Sequence, residues 1–192
     1  MKKSGELKAL ARAQLKGKWL EAVLVYFVYG CIMSASCLVL VGPIIIGGPL
    51  VLGLLGYFLL KANGENHQFE NLFDGFKQFG KSLVMFLLMF VFISLWSLLL
   101  FIPGIIKSFS YSMSYFILKD NPEIGASEAI TRSRKMMNGN KWKLFCLCLS
   151  FIGWAFLCLF TFGVGCFWLM PYMYASIANF YKELKENQPA AQ

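Results

Sequence analysis

Three long apolar blocks constrain the fold of this chain more than any other feature of its sequence. They cover roughly residues 22–60, 82–118 and 144–181. Each block holds about forty residues, whereas a single helix crosses a bilayer with about 20. Glycine and proline interrupt each block near its middle, at Gly42-Pro43 and Gly47-Gly48-Pro49, at Pro103-Gly104, and at Gly163 and Gly165. We therefore predict three helical hairpins that supply about six transmembrane helices.

The composition agrees with a chain that is solvated by lipid. The 192 residues are 58% hydrophobic and only 15% charged, and the mean hydropathy is +0.60. Soluble domains are nearer to about 45–50% apolar and about 25% charged. We predict an all-α fold, an integral membrane helical bundle that forms a single membrane domain over residues 1–192.

The charges are confined to the ends of the apolar blocks. All ten acidic residues, and every lysine and arginine except Lys107, lie in the segments 1–21, 61–81, 119–143 and 182–192. The positive-inside rule then predicts a multi-pass cell-membrane protein with both termini cytoplasmic. Because residues 105–118 supply only fourteen positions, the fourth span either crosses a locally thinned bilayer or dips in without crossing. We expect no cleaved signal peptide, since the first apolar run starts only near residue 22.

A short amphipathic segment precedes each hairpin, within residues 4–18, 69–80 and 123–137. Spacings of three and four give each segment one apolar face, formed by Leu7, Leu10, Ala11 and Leu15, by Phe69, Leu72, Phe73, Phe76 and Phe79, and by Ala126, Ala129, Ile130 and Met136. Helices of this kind lie flat among lipid headgroups. One glycine, at position 17, 80 or 139, then precedes each hairpin, where it suits a helix end.

This recurrence predicts a pseudo-threefold repeat, with units at approximately 4–61, 69–119 and 123–182. The alternative is that ordinary membrane hairpins share the same interfacial anchors without being related. Membrane proteins built from repeats often place their functional sites where the repeats meet.

The basic side chains beside the hairpins are candidate contacts for anionic lipid headgroups. The net charge of the chain is +8, and a cation near an anionic surface contributes about 1 kcal/mol to binding. The candidates are Lys8, Arg12, Lys16, Arg132, Arg134, Lys135, Lys141 and Lys143. Topology control by positive charge explains the same pattern, so both interpretations stay open.

We expect membrane lipids as partners, with a protein partner or a second copy of the chain as a further option. We do not expect nucleic acid, because no stacking aromatic residues interleave with these cations on a soluble face.

The fourth span carries the main polar feature at membrane depth. Lys107, Ser110, Tyr111, Ser114 and Tyr115 fall within nine residues, with Lys107, Tyr111 and Tyr115 on one helical stripe. They form a candidate polar groove for a lipid headgroup or a solute. The alternative is that the serines pack helices together and that Lys107, close to the outer interface, extends its ammonium group to water.

The sequence offers little for catalysis. The single histidine, His67, lies in a polar loop and is expected to be solvated. No metalloprotease, P-loop or nucleophile-elbow motif is present. The six cysteines lie in apolar runs, so we expect neither a disulfide framework nor a zinc site. We expect no cofactor, no metal and no catalytic residue, and hence a protein that is not an enzyme.

Several short motifs resemble those of domain-of-unknown-function family 975, a family of bacterial integral membrane proteins. The resemblance extends over nearly the whole chain and is most specific from about 102 to 181. It rests on Ile102-Pro103-Gly104-Ile105-Ile106, Tyr111-Ser112-Met113, Asn121-Pro122, residues 133–137, Lys141-Trp142-Lys143-Leu144-Phe145, residues 149–154 and Pro171-Tyr172. The resemblance implies a bacterial cell-membrane protein with several helices, and it brings no catalytic residues.

Two functional hypotheses follow. The first is a non-enzymatic scaffold or accessory subunit that contacts anionic lipid or a partner protein, which the basic amphipathic segments favour. The second is a small oligomeric transporter or permease component for a lipid or a small solute, which the repeat and the polar face of the fourth span favour.

Overall fold

The computed structural model describes residues 3–38, 42–65, 67–99, 101–161 and 163–187. These residues fold as α-helices and one 3-10 helix, so the predicted all-α class is confirmed. The α-helices are α1 (Ser4–Leu15), α2 (Trp19–Ser36), α3 (Gly42–Asn63), α4 (Phe79–Leu99), α5 (Phe101–Tyr111), α6 (Ser114–Asp120), α7 (Ala126–Met136), α8 (Lys141–Leu149), α9 (Ile152–Phe160) and α10 (Cys166–Asn187), and the 3-10 helix is Phe69–Gln78.

Helix α3 lies at the centre of the bundle. It packs against α2, α4, α6, α10 and the 3-10 helix, and most of its residues from position 47 onwards are buried. Large rings fill the space between α3, α6 and α10. The rings of Phe116 and Tyr181 stack with their centroids 5.2 Å apart, and those of Phe58 and Tyr174 stack at 5.8 Å. Because aromatic side chains bury the largest apolar areas, these rings hold the three helices together.

Four segments are long and apolar enough to cross a membrane: Trp19–Ser36, Gly42–Asn63, Phe69–Leu98 and Lys141–Cys158. The predicted fourth span is divided instead into α5 and α6, which have 11 and 7 residues. The predicted fifth span is among the four, although it is divided between α8 and α9, whereas the predicted sixth span, α10, is not among them. The structure therefore supports four candidate spans and not the full set of six that hydropathy predicts.

The hairpin tips lie close to the predicted glycine and proline residues. Gly163, with a φ of 85°, takes the left-handed conformation between α9 and α10, which favours glycine. Pro103 and Gly104 lie within the first turn of α5, so the second tip comes a few residues earlier than predicted. A proline is tolerated in a first helical turn because its missing N–H has no helical partner there.

The three amphipathic segments pack on helices of the bundle. Helix α1 packs along α10, the 3-10 helix along α3, and α7 along α6. Leu7, Ala11 and Leu15 of α1 are buried in this way. The segments therefore contribute to the protein core, whereas the sequence predicts faces that only meet headgroups.

The phenylalanine stripe of the second segment is oriented differently from the prediction. Leu72 and Gly75 are buried against α3, whereas Phe69, Phe73, Phe76 and Phe79 are exposed. The reason is the 3-10 geometry, in which side chains align every three residues and not every 3.6. The rows through Leu72 and through Phe73 therefore separate. Leu72 and Gly75 of the first row meet α3, whereas Phe69 at the start of that row and the second row, with Phe73, Phe76 and Phe79, stay exposed.

Glycines give α3 and the 3-10 helix direct backbone contact. A Cβ atom at Gly53 would collide with the carbonyl oxygen of Leu72, and a Cβ at Gly75 would collide with the carbonyl oxygen of Pro49. Either substitution forces the two backbones apart, so this junction is specific to glycine.

The three glycines that precede the hairpins differ in conformation. Gly17 and Gly139 adopt left-handed φ values of 81° and 77°, whereas Gly80 lies inside α4.

We predict that Gly53→Ala destabilises the protein by about 1–3 kcal/mol, the usual cost of overpacking. The matched control is Gly30→Ala in α2, where a Cβ meets nothing within 4 Å and alanine is the better helix former. The measurement is thermal unfolding of the purified protein in mild detergent. A Gly53→Ala variant that melts at or above the temperature of Gly30→Ala would contradict the described contact.

Candidate anion-binding cavities

A cavity of about 390 Å³ lies between α5, α7 and α8, and we call it the basic cavity. Its wall consists of Lys107, Ser110, Thr131, Arg134, Lys135, Asn138 and Lys141. The residues come from both of the predicted sites, since Lys107 and Ser110 belong to the polar groove and three others belong to the headgroup contacts. No acidic residue is among the described residues of this wall.

A buried hydrogen bond positions α7 on one side of the basic cavity. Ser133, which is fully buried, donates its hydroxyl to the carbonyl oxygen of Ser110 at 2.8 Å. That carbonyl lies in the last turn of α5, just before the helix breaks at Ser112-Met113. The bond therefore fixes Arg134, the next residue of α7, next to Ser110 of α5.

The electrostatics of the basic cavity favour an anion. Four cationic side chains line a cavity of about 390 Å³, and their mutual repulsion is relieved when a negative group enters. Lysine and arginine offer charge-assisted donors, and Ser110, Thr131 and Asn138 add neutral polar groups. Lys107 is held from the opposite side by the ring of Trp96, whose centroid lies 4.4 Å from its Nζ atom.

The basic cavity corrects the predicted location of Lys107. The sequence predicts this lysine near the outer interface and the connector 119–143 in the cytoplasm. A cavity of about 390 Å³ contains Lys107 together with Arg134 and Lys141, whereas the hydrocarbon core is about 30 Å thick. Lys107 and the connector therefore lie on the same side, and the prediction that they face opposite sides of the membrane is wrong.

The rest of the predicted polar groove lies in the protein core. The break between α5 and α6 divides the stripe of Lys107, Tyr111 and Tyr115. Tyr111, Ser114 and Tyr115 are buried, and the Ser114 hydroxyl has no hydrogen-bond partner among the described residues. These three residues thus serve packing, and only Lys107 and Ser110 reach the cavity.

A second and larger cavity, of about 820 Å³, lies between α1, α2, α9 and α10. We call it the aromatic cavity, and its wall is formed by Arg12, Trp19, Trp154, Leu157, Cys158, Thr161, Gly165, Trp168, Leu169 and Tyr172. Arg12 is the one cation among the described residues of this wall, and its guanidinium carbon lies 5.8 Å from the centroid of the Tyr172 ring. The wall is otherwise mainly apolar, and three of its side chains are tryptophans.

Lys8 secures α1 beside the aromatic cavity. Its Nζ atom donates to the carbonyl and hydroxyl oxygens of Ser150 at 3.1 and 3.2 Å, and it lies 4.6 Å from the centroid of the Phe151 ring. Tyr172 in turn donates its hydroxyl to the carbonyl oxygen of Lys8 at 3.1 Å. Burial and the neighbouring Arg12 guanidinium lower the pKa of the Lys8 ammonium. This lysine therefore acts within the protein and not as a free headgroup contact.

The remaining predicted headgroup contacts have separate surroundings. Arg132 forms an ion pair with Glu128 at 2.7 Å and points away from the basic cavity. Lys143 donates to the side-chain oxygen of Asn140 at 3.3 Å. Lys16 lines a third cavity, of about 530 Å³, together with Lys18, Lys61 and His67.

His67 is more buried than its polar sequence context predicts. Its side chain is only 9% exposed, and its ring meets the ring of Tyr57 edge to face, with centroids 5.4 Å apart. Its Nδ1 atom lies 3.0 Å from the carbonyl oxygen of Glu65, and its Nε2 atom lies 3.9 Å from the Glu21 carboxylate. The neighbouring run of polar residues predicts a solvated loop, so no local signal indicates this burial.

A family model described as a protein of unknown function (DUF975) matches the chain over residues 1–106 and 98–188. The chain belongs to the DUF975 family. The resemblance read from the sequence motifs is thereby confirmed over nearly the whole chain. No curated protein and no solved structure matches this DUF975 chain significantly.

We predict that His67→Ala lowers the free energy of unfolding by about 2 kcal/mol, because it removes a buried ring and an aromatic contact. His67→Phe keeps the ring against Tyr57 and serves as the matched control, with a cost less than half as large. Thermal unfolding in detergent provides the comparison. If both variants melt like the unaltered protein, His67 is a solvated loop residue and the described burial is refuted.

Proposed function

We propose that this DUF975 protein is a non-enzymatic, multi-pass membrane scaffold that holds an anionic lipid headgroup in the basic cavity. In this proposal six helical segments form three hairpins, both termini are cytoplasmic, and the cavity opens at the cytoplasmic face. The observation that carries the proposal is the convergence of four cations and three neutral polar side chains on one small space without an acidic residue in its described wall.

The chemistry of a phospholipid headgroup fits this wall. A phosphate diester carries one negative charge and presents oxygen acceptors that arginine and lysine bind through charge-assisted hydrogen bonds. The cavity also adjoins side chains that suit the bilayer. Ile105 and Ile106 of α5 and Trp142 of α8 are exposed and apolar, and tryptophan prefers the membrane interface. An acyl chain can therefore remain in lipid while its headgroup enters the protein.

The predicted threefold repeat gains support from the packing of the bundle. Each amphipathic segment packs on the last helix of the preceding unit, and the first segment closes the ring on α10. The first helix of each hairpin also contacts one helix of its own unit and one of the preceding unit: α2 contacts α3 and α10, α4 contacts α5 and α3, and α8 contacts α10 and α5. In this scheme the basic cavity lies where the second and third units meet, as is common for sites in repeat-built membrane proteins.

We predict that the double variant Lys107→Gln/Arg134→Gln loses at least about tenfold in affinity for phosphatidylglycerol, because a charge-assisted hydrogen bond contributes about 1.5–3 kcal/mol. The matched control is Arg132→Gln, which removes one charge from the same helix outside the cavity. Native mass spectrometry of the full chain, titrated with phosphatidylglycerol and with phosphatidylcholine, measures both affinities.

The proposal requires three results together. The unaltered protein prefers phosphatidylglycerol over phosphatidylcholine, the double variant loses that preference, and Arg132→Gln keeps it. Equal binding of the two lipids by the unaltered protein would refute the proposal. A double variant that keeps its full preference would refute the assignment to this cavity.

A further inference from the structure

We infer that the aromatic cavity is a second binding site, for a single-chain anionic amphiphile of the long-chain carboxylate class. The carboxylate would meet Arg12, and the alkyl chain would lie along the tryptophans. This site differs from the basic cavity in position and in wall chemistry, and it can be present whether or not the basic cavity holds a phospholipid.

The positive charge of Arg12 in the wall of the aromatic cavity favours a carboxylate as the headgroup of the ligand. Arg12 is the single cation in a wall that contains no acidic residue among its described members. No described carboxylate forms an ion pair with Arg12. Its guanidinium group lies against the ring of Tyr172, which orients it without neutralising its charge. A guanidinium in this setting matches one carboxylate, since both groups are planar and form paired hydrogen bonds.

The remaining wall selects an apolar chain. Trp19, Trp154 and Trp168, with Leu157 and Leu169, are five of the ten described wall residues. The volume of about 820 Å³ lies in the range of about 300–1,000 Å³ that is typical of ligand sites. Trp154, Leu157 and Trp168 are about half exposed, so in this inference a chain enters the cavity sideways from the lipid phase.

The position of Arg12 corresponds to that of Arg134 in the basic cavity. Each arginine lies five residues before a glycine with left-handed φ, at Gly17 and Gly139. The residues immediately before them, Ala11 and Ser133, are both fully buried. Two structurally corresponding arginines thus face two cavities, one with a polar wall and one with an aromatic wall. The second therefore suits an anion that brings its own apolar chain.

The test uses the fluorescence of the cavity tryptophans. The chain has five tryptophans, and the double variant Trp96→Phe/Trp142→Phe leaves only the three that line the aromatic cavity. The probe is dibromostearic acid, whose bromine atoms quench nearby tryptophan, added to the full chain in phosphatidylcholine nanodiscs. The corresponding dibrominated alcohol serves as the uncharged comparison compound, and the melting temperature of each variant checks its fold.

We predict quenching that saturates near one carboxylate per protein and an affinity for the alcohol about tenfold lower. Arg12→Gln should weaken carboxylate binding about tenfold and leave alcohol binding unchanged. The matched control Lys16→Gln, at the residue that follows α1 and lines another cavity, should behave like its parent. Quenching that rises linearly with probe, or carboxylate and alcohol affinities that are equal, would overturn the inference. An Arg12→Gln variant that binds the carboxylate normally would also overturn the inference. Failure of the basic cavity to bind phosphatidylglycerol would refute the proposed function and leave this inference standing.

Discussion

The packing of α3, α6 and α10 around shared aromatic rings is the interaction on which the rest of the structure depends. Phe116 of α6 stacks on Tyr181 of α10, and the hydroxyl of Tyr181 donates to Asp120 at 2.8 Å. Lys185 joins the same carboxylate at 2.6 Å. These contacts tie residues that are some sixty positions apart in sequence, and they give the amphipathic segments a fixed surface on which to pack.

The junctions between this core and the amphipathic segments differ in how closely the backbones approach. At α3, glycines allow direct contact with the 3-10 helix, and no space remains there for a ligand. The other two junctions hold the basic cavity, beside α5, and the aromatic cavity, beside α10. The wall is polar and cationic in the first of these cavities and mainly aromatic and apolar in the second. In our proposal the three units of one repeat have diverged in this way.

The sequence predicts the helical class, the apolar segments, the basic residues of the basic cavity and Arg12 of the aromatic cavity, because these depend on hydropathy and local charge. It does not predict the tryptophan wall of the aromatic cavity, which depends on how α2, α9 and α10 pack together. It does not predict that Lys107 meets Arg134, since that contact depends on how α7 packs against α5. For the second segment the sequence predicts the wrong face for a local reason, namely its 3-10 geometry. A row at Phe73, Phe76 and Phe79 with a spacing of three was a visible signal of that geometry. The burial of His67 had no such signal, because it depends on contact with Tyr57 of α3.

The central claim is that the fourth segment and the 119–143 connector form one cavity on the cytoplasmic side of the membrane. Side-specific labelling of Lys107→Cys and Asn138→Cys, each in a cysteine-free background, tests it most directly. The account predicts that a membrane-impermeant maleimide labels both positions in inside-out vesicles and neither in right-side-out vesicles. Labelling of Lys107→Cys from the outer side, with Asn138→Cys labelled from the inner side, would contradict the account.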